Sequence, residues 1–426
     1  MKTKMTLTLV LLFVGVCLGC SGCLAGLPQH TESQTESSQT EKEEMDVPDT
    51  EKFQSMMSRE TEAETEPETE PLSGEEKIDM KVQMFLDTMT LEEKVAQLFI
   101  VLPDTFLGVD GVTAAGEVTR EAIRQIPVGG FIYMSQNLQS SEQVREMTAA
   151  VQSYSMERTG LPMFLCVDEE GGTVSRISGR GLFDVPDIGN MCDVGARGNV
   201  EEARRIGETI GAYLSELGFN IDFAPDADVL SNPDNSVVRY RSFGSDPELV
   251  SEMSAAVLNG LQTKGVNGVL KHFPGHGATE GDTHEGYAYT SKTLEELKEC
   301  ELVPFQEGIL TGVHFIMAGH ISTPNVTGNE TPASLSYTMI TEILREQMGY
   351  EGIVVTDAMN MGAVAGSFTS ADAAVMAVNA GVDLILMPAD FQSAYSGVLE
   401  AVKSGTVSEE RIDESLRRIL RIKLTL

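Results

Sequence analysis

Short apolar runs recur along the chain from about residue 77 onward, and stretches of helical periodicity lie between them. Most of the runs are nearly continuous in apolar residues, a pattern typical of parallel strands that are buried on both faces. The eight runs are Gln97–Leu102, Gly129–Met134, Met163–Val167, Phe219–Ala224, Val266–Leu270, Val313–Ala318, Gly352–Thr356 and Val382–Met387. The helix candidates include 201–217, 246–264, 293–311, 370–380 and 407–422.

Eight strands alternating with helices over roughly 350 residues predict an α/β fold, a (β/α)8 barrel of the TIM type. An open doubly wound sheet is the alternative. The count of eight and the absence of an early GxGxxG motif favour the barrel. We therefore predict that residues 77–426 form a single barrel domain.

The first 26 residues have the composition of an export signal, with a basic start at Met1–Lys4 and an apolar stretch from Leu7 to Leu18. That stretch is shorter than the roughly 20 residues that span a bilayer. Small residues precede Cys20 and Cys23, as in a bacterial lipoprotein cleavage box, although leucine is absent three residues before each cysteine. We predict an exported protein held on the outer face of the cell membrane by an N-terminal lipid anchor, with a secreted form as the alternative.

Residues 27–76 are rich in Thr, Glu, Ser, Gln and Pro. Such a segment has too little apolar surface to offset its ordering entropy, so we predict a disordered acidic tether. An acidic interaction tail is the alternative. The whole chain has 30 Lys and Arg against 65 Asp and Glu, a formal net charge of −35. This balance argues against nucleic acid as a partner and against electrostatic membrane binding.

Polar and charged residues follow five of the eight predicted strands. A parallel barrel directs the residues after its strands to one mouth. Carboxylates, arginines, a lysine and histidines at one mouth suit a polyhydroxylated ligand, because each hydroxyl both donates and accepts hydrogen bonds. The residues are Asp168 and Arg176 after the third strand, Asp226, Asp228 and Arg241 after the fourth, Lys271, His272, Asp282 and His284 after the fifth, His320 after the sixth and Asp357 after the seventh.

Four motifs in this part of the chain resemble those of glycoside hydrolase family 3, and more narrowly of its β-N-acetylhexosaminidase branch. They are Asp-Glu-Glu-Gly-Gly at 168–172, Arg-Ser-Phe at 241–243, Lys-His-Phe-Pro-Gly-His-Gly at 271–277 with Asp-x-His at 282–284, and Thr-Asp-Ala-Met-Asn-Met at 356–361. The resemblance covers roughly residues 80 to 426, with every motif in the family's order. The motifs are specific as a set, whereas any one of them alone is not.

The resemblance implies a role for each residue that matches a motif. Asp357 matches the catalytic nucleophile, His284 the general acid/base, and Asp282 the carboxylate that orients it. The residues that match sugar-hydroxyl ligands are Asp168, Arg176, Arg241, Lys271 and His272. No metal or cofactor is implied. One departure is Thr173, where relatives often carry arginine.

We predict a retaining exo-β-N-acetylglucosaminidase that acts on aminosugar glycans such as peptidoglycan fragments, through a covalent intermediate on Asp357. Histidine suits the acid/base role because it gives and takes back a proton near neutral pH. Other sugar specificity within the family, and transfer to phosphate, are alternatives. A surface carbohydrate receptor, and a metal site of His272, His276, Asp282 and His284, are alternatives of other classes.

Overall fold

Eight parallel strands form a barrel in the computed structural model, which describes residues 73–281 and 288–426. In chain order the strands are β1 (Phe99–Val101), β2 (Gly130–Ile132), β3 (Phe164–Val167), β4 (Ile221–Asp222), β5 (Asn267–Phe273), β6 (Ala288–Tyr289), β7 (Phe315–Ala318), β8 (Ile321–Ser322), β9 (Ile353–Thr356) and β10 (Ile385–Leu386). The barrel order is β10–β1–β2–β3–β4–β5–β7–β9, and β6 pairs with β8 in a separate two-stranded sheet. A parallel bridge from Val355 to Leu384 closes the barrel.

Helices connect and surround the strands. In the described ranges the α-helices are Gly74–Thr88, Leu91–Ala96, Pro103–Leu107, Glu117–Gln125, Ser141–Thr159, Met191–Arg197, Val200–Glu216, Pro247–Gln262, Leu294–Glu299, Val303–Leu310, Pro324–Thr327, Gly362–Ala365, Ser370–Ala380, Phe391–Lys403 and Glu409–Lys423, and Thr338–Gln347 is π-helical. None of the described helices combines the length and the apolar character that a membrane crossing needs.

The predicted barrel is confirmed: seven of the eight predicted strands contain an observed one, and the fifth overlaps its observed strand. The predicted end of β5 at Leu270 is wrong, because the strand continues to Phe273. Lys271 and His272 therefore lie inside the strand, where the Lys271 carbonyl still accepts a bond of 2.7 Å from the Ala227 N–H. The run of apolar residues ends earlier than the strand because Lys271 and His272 pair with carboxylates at the polar mouth, while Phe273 returns to the apolar core.

The predicted helix 293–311 is two helices, Leu294–Glu299 and Val303–Leu310. Pro304 in the first turn of the second helix has no N–H to continue the first one, so the break falls before it. At the other end of the chain, Ser73 and Glu76 form a capping box that starts the first described helix at Gly74. That helix begins inside the last residues assigned to the tether. The predicted leader and the tether as far as residue 72 lie outside the described residues.

Two apolar cores follow from the alternation of side chains along the strands. One core fills the space between barrel and helices and includes Leu165 and Leu270. The other fills the barrel interior and receives side chains from all eight barrel strands. In the interior, the rings of Phe164 and Phe315 meet edge to face at 5.7 Å between β3 and β7. The barrel is therefore a packed core, and its mouth is the place for a ligand.

The last helix, Glu409–Lys423, closes the amino-terminal end of the barrel. Ile419 belongs to the interior core and is fully buried. The buried ammonium of Lys423 donates hydrogen bonds of 2.8 Å to Gln97 Oε1 and to the Gly129 carbonyl. It also lies 4.9 Å from the centre of the Phe164 ring. Burial lowers the pKa of Lys423 to about 7.

Candidate active site

The predicted sugar ligands lie together at the carboxyl end of the barrel. A buried carboxylate that the sequence analysis left without a role, Glu170, is at their centre. The guanidinium of Arg241 donates to both carboxylate oxygens of Glu170 at 2.7 Å, and the ammonium of Lys271 lies 2.6 Å from Glu170 Oε1. Burial opposes the ionisation of Glu170, but Arg241 and Lys271 outweigh it and lower the pKa to about 2.

The loop after β3 carries Glu170 and is fixed by its neighbour Glu169. The buried carboxylate of Glu169 accepts hydrogen bonds from the backbone N–H groups of residues 176–178 and from the Tyr213 hydroxyl. Gly172 in this loop has φ +56°, and a Cβ there would lie 2.3 Å from Asn190 Oδ1. The double glycine therefore allows the turn, and Glu169 holds it.

Asp168 and Arg176 are the more accessible members of the cluster, with side chains 17% and 23% exposed against 3% for Lys271. Arg176 Nη2 lies 3.5 Å from Asp168 Oδ2, and Lys271 Nζ donates to Asp168 Oδ1 at 3.2 Å. Charged groups that remain open to solvent beside a fixed ion-pair network are well placed to bind ligand hydroxyls.

The loop after β4 supplies Asp228, whose carboxylate is fully buried. Its Oδ2 lies 2.7 Å from His272 Nδ1, and its Oδ1 accepts from the backbone N–H groups of His272 at 3.2 Å and His276 at 2.5 Å. Burial opposes ionisation, but the contact with His272 outweighs it and holds the pKa of Asp228 well below its usual range. Asp228 thus ties β5 and the turn after it to the β4 loop.

Asp357 follows β9 at the same mouth and is partly accessible. Its Oδ1 accepts a hydrogen bond of 2.7 Å from the Ala358 N–H, and its own N–H donates to the Ala318 carbonyl at 2.8 Å. Burial opposes ionisation, but His272 first and then His320 lower the pKa of Asp357. The carboxylate is therefore anionic and oriented, as a nucleophile requires.

His320, after β7, is a further member of the site. Its Nε2 lies 3.0 Å from the Ala358 carbonyl, and its Nδ1 lies 2.7 Å from Ser334 Oγ. A carbonyl only accepts, so Nε2 carries a proton and donates it to Ala358, while Nδ1 shares a hydrogen bond with the serine hydroxyl. Buried His320 therefore holds the backbone beside Asp357.

Asp282 and His284 fall in residues 282–287, outside the described part of the chain, so their roles stay predictions. The residues on either side of that segment are joined. Glu280 and Tyr289 exchange two backbone hydrogen bonds, of 3.0 and 3.2 Å, and β6 pairs with β8. Both flanks are thereby fixed to the segment that follows His320.

A family model, the glycosyl hydrolase family 3 N-terminal domain, matches residues 90–422. The chain belongs to glycosyl hydrolase family 3. The chain is 34% identical over 331 residues to Beta-hexosaminidase A of Pseudoalteromonas piscicida, covering 72% of this chain and 55% of that one. It is 32% identical to the Beta-hexosaminidase of Nitrosomonas eutropha, covering 66% of this chain and 80% of that one.

Among solved structures, a family 3 β-N-acetylglucosaminidase from Paenibacillus is similar, with a TM-score of 0.74 and 37% identity. The match covers 79% of this chain and 62% of that one. The family 3 resemblance inferred from the motifs is thus confirmed, and so is the barrel. The chain spans just over half the length of the first of these relatives.

Within this family 3 barrel, a metal has one candidate position among the described residues: Asp226, Asp228 and His272 bring donor atoms within 4.8 Å of one another. Both oxygens of Asp228 already accept hydrogen bonds. Arg241 Nε lies 3.4 Å from Asp226 Oδ2, which places a fixed positive charge beside the cluster. The donor set is therefore poorly suited to a cation.

Glu170, Asp228 and His320 are the members of the site to which sequence reasoning gave no definite role. All three come directly after predicted strands or within a quoted motif, so the signal was present. What the sequence lacks is the direction of each side chain. In the run 168–170, Glu169 turns to its own loop, and its two neighbours turn to Lys271.

Proposed function

We propose that the protein is a retaining exo-β-N-acetylglucosaminidase that releases terminal N-acetylglucosamine from aminosugar glycans such as peptidoglycan fragments. The observation that carries the proposal is Asp357, an ionised, partly accessible carboxylate at the end of β9, beside the ion-pair network of Lys271 and Glu170. The names of the family 3 relatives, which are β-hexosaminidases and a β-N-acetylglucosaminidase, support the proposed sugar class.

In the proposed first step, an Asp357 oxygen attacks the anomeric carbon, the glycosidic bond breaks, and the leaving oxygen takes a proton from His284. Water then attacks the glycosyl–Asp357 ester, gives its proton to His284, and releases the sugar. The Ala358 N–H fixes one oxygen of Asp357 at 2.7 Å. The other oxygen is the one proposed to attack.

The proposed sugar subsite is formed by Asp168, Arg176, Lys271, His272 and Arg241. Its charges are matched before a ligand arrives, because Lys271 and Arg241 pair with Glu170 and Arg176 pairs with Asp168. A neutral sugar then binds by hydrogen bonds without leaving a buried charge unpaired. Asp168 and Arg176, which keep the most exposure in this set, are the proposed direct contacts to hydroxyls.

The acid/base roles of His284 and Asp282 rest on the family resemblance. The positions of the flanking residues support them, since Glu280 and Tyr289 are joined by backbone hydrogen bonds and β6 pairs with β8. Asp282 would hold a ring proton of His284 in place, as a carboxylate does for the histidine of a serine-protease triad.

The proposed location is the outer face of the cell membrane, with a lipid on Cys20 or Cys23. The apolar stretch before two cysteines supports it. Metabolic labelling with a fatty-acid analogue tests it. Loss of the label in Cys20→Ser or in Cys23→Ser identifies the acylated cysteine. The absence of label in the unaltered protein would contradict the lipid anchor.

Hydrolysis of an aryl β-N-acetylglucosaminide by the purified protein tests the activity. Asp357→Asn keeps the side chain's shape and removes the charge, so we expect the rate to fall by at least about 10³-fold. Asp110→Asn, an exposed carboxylate in the loop after β1, is the matched control and should leave the rate unchanged. His284→Ala should reduce the rate strongly.

The stereochemistry of the released sugar tests the mechanism. Proton NMR of the early product should show the β-anomer, because double displacement retains configuration. Release of the α-anomer would overturn the nucleophilic role of Asp357. Activity on the matching glucoside alone would assign another sugar. A rate that increases with phosphate, together with N-acetylglucosamine 1-phosphate as the product, would show phosphorolysis. The absence of activity on any glycoside would favour a carbohydrate receptor.

A further inference from the structure

The imidazole of His272 lies between two fixed charged groups. Asp228 Oδ2 is 2.7 Å from its Nδ1, and Arg241 Nη2 is 3.3 Å from its Nε2. Asp228 is fully buried, and Arg241 keeps one-tenth of its side-chain surface exposed. The two neighbours thus contact opposite nitrogens of one ring.

The two contacts require one tautomer. An ionised carboxylate only accepts hydrogen bonds, and a guanidinium only donates them. The uncharged ring therefore satisfies both neighbours only when Nδ1 carries the proton and Nε2 has the lone pair. We propose that Asp228 is a positioning residue that holds the ring proton of His272 on Nδ1, so that Nε2 accepts from Arg241 and keeps that guanidinium on Glu170.

The chain of contacts continues from the ring to the proposed sugar subsite. Arg241 binds Glu170 through two hydrogen bonds of 2.7 Å, and Glu170 lies 2.6 Å from the ammonium of Lys271. A proton on Nε2 would face the guanidinium of Arg241 and repel it. The functional half of this inference rests on the proposed function, since it takes Arg241 and Lys271 as sugar ligands.

Asp228→Asn is a sharp test because the amide has no orientation that suits all its neighbours. In one orientation its NH2 faces the backbone N–H groups of His272 and His276, which are donors in every state. In the other orientation it faces Nδ1 of His272, which can lose its proton and become an acceptor. The second orientation is less costly, because the ring can move its proton to Nε2. The variant should therefore switch the tautomer of His272.

The experiment is nitrogen NMR of the full-length protein labelled with ¹⁵N-histidine, in mildly alkaline buffer. The chain has six histidines, and the signals lost in His272→Gln assign the ring. In the unaltered protein we expect Nδ1 to be the protonated nitrogen. A protonated Nε2 there overturns the proposal, whether or not the Asp228 variant folds.

In Asp228→Asn the signals of protonated and unprotonated nitrogen should exchange between Nδ1 and Nε2 of His272. KM for the aryl glycoside should rise about 10-fold, as the loss of one hydrogen bond predicts, and kcat should fall by less. Asp226→Asn is the matched control: Asp226 accepts from the Asp228 N–H at 3.0 Å and has no hydrogen bond to His272 among the described residues. The His272 ring signals of the Asp226→Asn variant should match those of the unaltered protein.

An unchanged tautomer in Asp228→Asn overturns the proposal, and an exchanged tautomer with an unchanged KM overturns its functional half. A protein without any glycosidase activity would remove the proposed function. The NMR result on the unaltered protein would still decide the tautomer, so the two failures are distinguishable.

Discussion

Arg241 and Glu170 form a bidentate ion pair, in which Nε and Nη2 of the arginine each lie 2.7 Å from one carboxylate oxygen. The same carboxylate lies 2.6 Å from Lys271 Nζ. One buried anion is therefore shared by two cations that come from the β4 loop and from β5. The positions of both cations depend on a residue that is itself 1% exposed and is not a proposed contact to the sugar.

Glu170→Gln is expected to destabilise the protein by about 3–5 kcal/mol, because it leaves two buried cations without their anion. Urea denaturation measures the loss. Glu92→Gln is the matched control, since the Glu92–Lys403 pair is about half exposed and should contribute under about 1 kcal/mol. Equal losses in the two variants would contradict the central position of Glu170.

The same pair predicts a pH dependence. The pKa of Glu170 is lowered to about 2 from 4.5, so its stabilisation is complete above pH 4.5 and is lost as the pH falls from 4.5 toward 2. The stability difference between the unaltered protein and Glu170→Gln should therefore shrink across that window. A difference that stays constant on acidification would argue against the lowered pKa.

Lys423→Met should stabilise the protein at and below neutral pH, by on the order of 2 kcal/mol. Burial lowers the pKa of Lys423 to about 7 from 10.5. The unfolded chain therefore binds the proton more tightly, and the unaltered protein gains stability as pH rises from 7 to 10.5. The gain from Met is reduced because Gln97 Oε1 loses its donor.

Denaturation at several pH values measures the effect. The advantage of Lys423→Met should fall as pH rises through that window. Lys403→Met, on an exposed lysine, is the control and should show no such trend. A destabilised Lys423→Met at every pH would mean that the hydrogen bonds of Lys423 outweigh the cost of its charge.

Gly275→Ala should lower both stability and activity. Gly275 has φ +128°, and a Cβ there would lie 2.6 Å from Glu301 Cβ. Gly312 also has a positive φ, +80°, but a Cβ there meets nothing within 4 Å, so Gly312→Ala isolates the backbone cost of about 1–2 kcal/mol. The melting temperature and kcat/KM should fall further in Gly275→Ala than in Gly312→Ala. The reason is that the turn at Gly275 positions the His276 N–H to donate to Asp228.

Removal of divalent metals should leave activity and melting temperature unchanged. The candidate donors Asp226, Asp228 and His272 already serve hydrogen bonds and lie beside Arg241. Activity is measured before and after dialysis against a chelator. A loss that added zinc restores would replace the hydrogen-bonded description of this cluster with a metal site.

The fold was predictable from the sequence because barrel strands are buried on both faces and so appear as apolar runs. Their lengths were less predictable. The run Phe219–Ala224 contains only a two-residue strand, Ile221–Asp222, while β5 is longer than its apolar run. Apolar character reports burial, whereas the length of a strand depends on where the neighbouring backbone stays in register.

The site was predictable to the level of strand ends. Asp168, Arg176, Lys271, Arg241 and His272 meet as predicted, within a network of contacts of 2.6–3.5 Å. The partner of each cation was not predictable. Three consecutive acidic residues at 168–170 differ in role only through the turn that the double glycine allows.

The pairing of β1 with β10 sets the timing of folding. Phe99 lies opposite Ile385, so the first and last strands of the barrel are neighbours although almost the whole domain separates them in sequence. Nearly all of the domain must therefore be present before the cylinder can close. Closure is a non-local and late step, and the edges of the first and last strands stay unpaired until it occurs.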